Sequence, residues 1–517
     1  MSNTIKIIFT SDVHGKVFPH DYSTGKEGAF GLLKLASLIN EIRDENTVLI
    51  DNGDTLQGSA LQLYHFVRGE KKPSPVTKAM AAMKYDYLNI GNHDLDYGIE
   101  PLTEHIEATG ARCININMGF PYDVLWRGGK KIAIFGLLTA YTQKWQSEDK
   151  IRGLTFQNDF TLAQNIASTI KKEEAPDYII CCYHGGFEKN PADGSPMPGA
   201  EGENLALKML EEIPEIDLLL AGHQHTVCCG RYQGKAYVQP GADGSFLGLA
   251  EIDLSGGEVS TQLVSLEKEQ PPPDGIIAAA LQSEEAACQR WLDKPIGECK
   301  TDLRILDEGE ARLKKAPLIT FLNMVQQDRI GGDLSASSLF EGSRGFGKSI
   351  CTRDIIASYA YPNTLQLKRI SGKTLREYLE KNLEYWALRD GEIVVNPQYL
   401  QPVPMHFNYD MIDGADYAAD ISRPAGKRLL WLKVHGKEVS DGDEFSIALN
   451  NYRAAGGGGF SMLAELETIK SDLTDMTEVI TQYIIRHGVI DFCPIQNIKI
   501  FSGTEKRKET EHEKRSL

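Results

Sequence analysis

No apolar run in this 517-residue chain approaches the roughly 18 residues needed to cross a bilayer. A membrane-spanning helix is therefore not expected. Positive charge is also in short supply. Lys and Arg number 55 against 72 Asp and Glu, a formal net charge of −17. That balance argues against a nucleic-acid polymer or an anionic membrane surface as the main partner. A small anionic substrate stays open, because a metal ion or a few local cations can hold one. The cysteines lack any C-x-x-C spacing, so no zinc ribbon is expected. There are nine, an odd number, and Cys181-Cys182 and Cys228-Cys229 are adjacent pairs that make poor disulfide partners. They read as small buried apolar residues in a reducing compartment. The start of the sequence lacks a basic segment followed by a long apolar one, and a chemical motif begins as early as Asp12. The expected location is the cytoplasm. No internal repeat is seen.

What is present is an ordinary globular composition, 41% apolar and 25% charged, with length for two to four domains. Up to about residue 262, short apolar runs alternate with helical patterns. The runs are residues 5–10, 47–50, 85–90, 131–138, 178–183 and 216–221. Leu32, Leu35, Ala36, Ile39 and Arg43 fall at helical spacing between the first two. Strand–helix alternation predicts an α/β domain. Shorter runs at 236–240 and 246–254 look like hairpin strands. Pro271, Pro272 and Pro273 mark a boundary, since three prolines stop any helix. A linking helix is predicted over 276–292, and the proline run with that helix is a candidate hinge. The expected division is a first domain over 1–262, a linker over 263–298, a second α/β domain over 299–502 and a charged tail over 503–517. In the second domain, helices are predicted at 316–327 and 373–387, and strands near 363–370 and 429–434.

The residues that follow each apolar run of the first domain carry the chemistry. They are Asp12-Val13-His14, then Asp51-Asn52-Gly53-Asp54, then Gly91-Asn92-His93-Asp94-Leu95-Asp96, then His184-Gly185-Gly186, then Gly222-His223-Gln224-His225. Five predicted strands thus each deliver Asp, Asn or His at the C-terminal end, where loops of an open α/β sheet converge on a crevice. One Asp-x-His alone is weak evidence. Five such groups in order are hard to explain as scattered surface residues. Imidazole, carboxylate and amide oxygen together suit Mn, Fe, Co, Ni or Zn. Seven ligands exceed one tetrahedral site and suit two divalent metal ions sharing a bridging carboxylate, an arrangement able to activate water and clamp a phosphoryl group.

This order of motifs resembles the calcineurin-like metallophosphoesterases. A second stretch, from Asn450-Asn451-Tyr452-Arg453 through the glycines at 456–459 to Phe460, resembles the C-terminal domain of the 5'-nucleotidase family. The resemblance covers nearly the whole chain. It implies a metallophosphoesterase β-sandwich flanked by helices, then a second α/β nucleotide-recognition domain. Residues 49–59, 361–365 and 407–414 lean toward the 2',3'-cyclic-nucleotide 2'-phosphodiesterase/3'-nucleotidase branch. The resemblance also implies roles. One metal would be held by Asp12, His14, Asp54 and His225. The other would be held by Asp54, Asn92, His184 and His223. His93 would stand beside the leaving oxygen or phosphate as proton donor or charge stabiliser, oriented by Asp96. Tyr409 and Phe460 would sandwich the nucleobase; the competing reading makes both rings core.

Two departures favour the cyclic or 3' branch over strict 5' specificity. The stretch Leu334 to Phe340 lacks the arginine typical of 5'-nucleotidases, and Leu466 stands where those enzymes carry an aspartate. The expected substrate is a nucleotide, hydrolysed by a dinuclear centre. A 5'-nucleotidase or nucleotide-sugar hydrolase is the alternative, and a nucleotide-binding protein with a dead site the remote one. Nothing in the residues bears on oligomeric state.

Overall fold

The computed structural model describes residues 4–69, 72–195, 197, 202–359, 361, 363–401, 404–472 and 474–503. The charged tail expected beyond Gly503 lies outside the described residues. Contacts divide the chain into two compact units, 1–289 and 290–517.

The first unit is built on two six-stranded sheets. One runs in the order Val259–Ser265, Phe246–Asp253, Thr4–Thr10, Thr47–Asp51, Tyr87–Leu88 and Arg112–Cys113. The other runs Asp123–Arg127, Lys130–Leu138, Tyr178–His184, Leu218–Ala221, Lys235–Pro240 and Val227–Tyr232. The alternation of strand side chains decides what each face buries. Ile5, Ile7 and Phe9 of the first sheet share one apolar cluster with Ile132, Ile134, Ile180, Cys182, Leu218 and Leu220 of the second. The neighbouring residues Phe135, Leu137, Cys181 and Tyr183 turn the other way. They pack against Ala163, Ala167 and Ile170 of the helix Asp159–Glu173. This is the expected β-sandwich flanked by helices. The two-residue strand Tyr87–Leu88 is shorter than its apolar run suggests, and the edge strands Asp123–Arg127 and Val227–Tyr232 carry no strong apolar pattern.

The predicted linking helix forms over Gly275–Leu292. Asp274 caps it, its carboxylate accepting from Ile276 N and Ile277 N at 2.9 and 3.0 Å. Ile277, Leu281, Glu285 and Cys288 are buried at helical spacing. Glu285 accepts from the Tyr22 hydroxyl at 2.7 Å, and Cys288 Sγ reaches Ala60 O at 3.5 Å. The proline run therefore lies inside the first unit, and the division between units falls in the last turn of this helix.

The second unit carries a five-stranded sheet in the order Asp410–Asp413, Leu334–Ser338, Glu444–Asn450, Leu365–Ser371 and Thr468–Asp472. A four-stranded sheet runs Lys437–Glu438, Leu429–Val434, Ala415–Asp420 and Ile498–Phe501. Helices Pro317–Ile330 and Gly372–Leu383 contribute to one continuous core with them. The second helix is shorter than predicted because the chain re-enters extended structure at Trp386–Arg389.

One core histidine gives the first unit an acid weakness. His105 is buried, with Nδ1 2.8 Å from Thr77 Oγ1. Burial disfavours the imidazolium and lowers its pKa from 6.5 to about 4. The unfolded chain therefore takes up this proton first. The contribution is complete above pH 6.5 and is lost as the pH falls toward 4, by up to about 3 kcal/mol. Urea midpoints of the wild type and of His105→Gln between pH 7 and 4 check this. The variant is expected to show a flatter loss.

Candidate active site

The loops that leave the strands Thr4–Thr10, Thr47–Asp51, Tyr178–His184 and Leu218–Ala221 meet at one end of the sandwich. Three buried amides hold the two sheets together there. Asn89 Nδ2 donates to Asn52 Oδ1, Leu137 O and Cys182 O at 2.9, 3.2 and 3.1 Å. Asn115 Nδ2 donates to Asn89 Oδ1 at 2.7 Å, and Asn52 Nδ2 donates to Tyr183 O at 3.2 Å. One acid lies beneath the loops. Asp94 accepts from the backbone N–H of Asp54, Thr55, Leu56 and Gly91 at 2.7–2.9 Å. It thereby ties the Asp54 turn to the turn that carries Asn92 and His93.

The backbone at the site is held in an unusual conformation. Asp12, His14, Asp54, His223 and His225 all have positive φ, between 50° and 71°. Residues with a Cβ rarely adopt this region, and such positions persist only where the surroundings enforce them. Five of the seven candidate ligands share the feature. Space is correspondingly tight. A Cβ at Gly91 would lie 2.2 Å from Asp54 Oδ1, and one at Gly222 would lie 2.3 Å from Ser11 Oγ.

All seven candidate ligands converge. Asp12, His14 and His225 form one group, and Asp54, His184 and His223 form another. Asn92 Oδ1 lies 2.9 Å from His223 Nδ1 and so joins the second group. Asp12, Asp54 and His184 are fully buried, whereas the His225 side chain is half exposed and marks the open side.

The outer ring nitrogens decide what faces inward. His14 Nδ1 donates to Gln57 O at 3.0 Å, and His184 Nδ1 donates to Asn52 O at 2.7 Å. His223 Nε2 donates to Glu203 Oε1 at 3.1 Å. Each contact fixes a tautomer and leaves a lone pair on the inner nitrogen. The inner nitrogens then face other candidate ligand atoms. His14 Nε2 is 3.0 Å from His225 Nε2, and His184 Nε2 is 3.2 Å from Asp54 Oδ2. Asp54 Oδ2 and His184 Nε2 are buried without a hydrogen-bond partner. Acceptors turned toward one another in a buried cluster are costly unless a cation lies between them. The donor set thus fits divalent metal ions, with nitrogen and oxygen ligands and no thiolate.

His93 stands beside this cluster. Its backbone N–H donates to Asp54 Oδ1 at 2.7 Å, and its ring Nδ1 lies 2.8 Å from Asp96 Oδ2. Burial pushes the imidazole pKa down, but the Asp96 and Asp54 carboxylates outweigh it and raise the value to about 10.

A profile described as calcineurin-like phosphoesterase matches residues 5–227, and one described as the 5'-nucleotidase C-terminal domain matches residues 295–465. The chain belongs to the 5'-nucleotidase family of calcineurin-like phosphoesterases. It is accordingly a metal-dependent phosphoesterase. The trifunctional nucleotide phosphoesterase protein of Bacillus subtilis is 25% identical over 94% of the chain. This chain spans only 38% of that relative's length. The 2',3'-cyclic-nucleotide 2'-phosphodiesterase/3'-nucleotidase of Salmonella typhimurium is 26% identical, covering 88% of this chain and 81% of that one. A solved structure from Staphylococcus aureus, described as a 5'-nucleotidase, is 28% identical with a TM-score of 0.84. It covers 96% of this chain and 100% of that one. Among the described residues, no helix is long and apolar enough to cross a membrane.

The rings expected to stack a base are a different matter. Tyr409 and Phe460 are both completely buried. Tyr409 lies 4.7 Å from Tyr385 at an interplanar angle of 15°, and the Arg453 guanidinium covers Phe460 at 3.9 Å. Neither ring offers two free faces, so both are core, as the competing reading had it. Aromatic surface occurs nearby on other residues. Tyr361 and Tyr452 are exposed, Phe407 is half-buried, and Phe407 lies 6.0 and 5.8 Å from them. The glycine run packs here, since a Cβ at Gly457 would lie 2.5 Å from the Tyr452 ring. The sequence contained all three rings within the motifs already singled out, but nothing in it ranked Phe407 above Tyr409. Trp145, Gln146 and Glu203 also touch the site, and no motif announced them.

Proposed function

We propose that the protein hydrolyses 2',3'-cyclic nucleotides to 3'-nucleotides and then removes the 3'-phosphate. The phosphoesterase chemistry rests on the single cluster of seven nitrogen and oxygen ligands with His93 beside it, and the cyclic substrate is supported by the lack of an arginine from Leu334 to Phe340 and by the likeness to the Salmonella typhimurium enzyme. Asp12, His14, Asp54 and His225 would hold one ion, and Asp54, Asn92, His184 and His223 the other, with Asp54 shared. Mn, Zn, Fe, Co or Ni suits this donor set. Two such ions supply charge neutralisation at the phosphate and activation of the attacking water.

The remaining work falls to the protein. Asp96 takes the His93 Nδ1 proton in a hydrogen bond, which directs the Nε2–H outward. The His93 side chain is 30% exposed, enough to meet a substrate. In the first step the P–O2' bond breaks and in the second the P–O3' bond. Each leaving group is a ribose oxygen that needs a proton, so one donor serves both. Residues 1–262 carry the chemistry in this reading, and 299–502 recognise the nucleoside. The adjacent cysteines Cys181-Cys182 and Cys228-Cys229, poor disulfide partners, suit a cytoplasmic location in this reading.

Phe407 and Tyr452 are the rings assigned to the base in place of Tyr409 and Phe460. Stacking contributes about 1–3 kcal/mol per base. Tyr452→Ala is therefore expected to raise KM roughly 5- to 150-fold with little change in kcat. Tyr409→Phe, a core change, is expected to leave KM unaltered. Steady-state kinetics on both variants check this.

The 5'-nucleotidase reading is favoured by the Staphylococcus aureus likeness. Release of phosphate and nucleoside from 2',3'-cyclic AMP, 3'-AMP and 5'-AMP, with added Mn, separates the two. The first two substrates are expected to win. Preference for 5'-AMP would leave the metal cluster standing and overturn the substrate assignment.

A further inference from the structure

The short helix Thr142–Trp145 and the residue after it lie against two different parts of the site. Trp145 stacks on His223, with ring centroids 5.2 Å apart and an interplanar angle of 25°. Its neighbour Gln146 turns to the other side. Gln146 Nε2 donates to Asn92 O at 3.0 Å and to Asp96 Oδ1. Asp96 is the residue that orients His93, and Asn92 faces His223. Glu203 completes the set from a separate loop, accepting from His223 Nε2. The His223 ring is therefore covered on one face by Trp145, tethered at Nε2 by Glu203, and turns Nδ1 toward Asn92.

We propose that Glu203, Trp145 and Gln146 are positioning residues that lock one metal position and the His93 proton donor into a single unit. Glu203 and Trp145 act on His223. Glu203 sets its tautomer and Trp145 its ring plane, so both act on cation affinity. Gln146 acts on Asp96. That carboxylate has two oxygens; one holds His93 and the other is held by Gln146. Without Gln146 the carboxylate is free to rotate and His93 loses its fixed direction. Because Trp145 and Gln146 are consecutive, a shift of this helix moves both parts together. Sequence pattern alone assigns none of the three to the reaction.

The inference rests on the reading that the cluster binds two cations, and the experiment keeps the two apart. Metal-stripped protein is titrated with Mn²⁺, free ion being read by electron paramagnetic resonance. Tryptophan fluorescence is followed in parallel. The wild type is expected to bind two ions and to show quenching that Trp145→Phe abolishes. Glu203→Ala is expected to weaken one of the two sites about 10- to 100-fold and leave the other unchanged. Glu203→Gln, which keeps an acceptor oxygen and the side-chain volume, is expected to recover most of that loss. It also guards against a folding defect in the alanine variant. Gln146→Ala is expected to keep both ions at wild-type affinity while kcat falls about tenfold or more at unchanged KM. Fewer than two ions in the wild type would overturn the reading of the cluster. Two ions in the wild type, with unaltered affinities in Glu203→Ala and unaltered kcat in Gln146→Ala, would overturn the positioning role itself.

Discussion

Asp54→Asn is expected to cost the protein bound metal and more than a hundredfold in nucleotide hydrolysis, with the fold intact. Asp54 is the carboxylate common to both proposed ion positions. One oxygen accepts from His93 N at 2.7 Å, and the other is buried without a donor, 3.2 Å from His184 Nε2. An asparagine side chain fills the same space. Its oxygen can keep the bond to His93 N, but its NH₂ then points at the His184 lone pair. The amide nitrogen donates where an acceptor is required, so the inward-facing pair is satisfied without a cation. Changing an outer partner of a metal ligand typically costs 10- to 100-fold, and changing a shared ligand should exceed that. Metal content by atomic emission, with phosphate release, checks it. Two ions retained at wild-type affinity would remove Asp54 from the shared position.

His93→Ala is expected to separate these effects in the opposite way. Loss of a positioned proton donor lowers kcat by about 10²–10⁴-fold. His93 contributes no atom to either ligand group, so both ions should remain bound. The size of the loss should follow the leaving group. A ribose oxygen departs poorly without a proton. p-Nitrophenolate departs without one, so p-nitrophenyl phosphate should lose far less in the variant. Asp96→Asn should fall between, because the imidazole survives but its orientation does not. An equal deficit on both substrates would mean that His93 stabilises charge rather than delivering a proton.

The two kinds of site residue differ in how far the sequence exposed them. The ligands were legible because each follows an apolar run, and parallel strands of a sandwich bring such ends together. Their left-handed φ values were not legible. A positive φ at an Asp or His is a cost imposed by neighbours, and no local preference encodes it. The aromatic rings of the second unit show the same limit. Phe407 and Tyr409 stand two residues apart, both aromatic and both in one motif. The 3₁₀ turn His406–Asn408 leads into the strand Asp410–Asp413, and Tyr409 falls onto Tyr385 while Phe407 meets Tyr452.

From the order of residues alone came the α/β class, the family, the seven converging ligands and His93 with Asp96. The class and the candidate ligands rest on short-range pattern, side-chain period along a strand and chemistry at its end; the family and the roles given to His93 and Asp96 rest on the resemblance of the motifs. Only the tertiary structure decided which atoms face inward, because the tautomers depend on Gln57 O, Asn52 O and Glu203, residues far from the histidines they hold. It alone sent the linking helix onto the first unit, buried Tyr409 and Phe460, and brought Trp145 and Gln146 to the site. Such contacts join distant parts of the chain, and their partners are set by packing, which no local run of residues specifies.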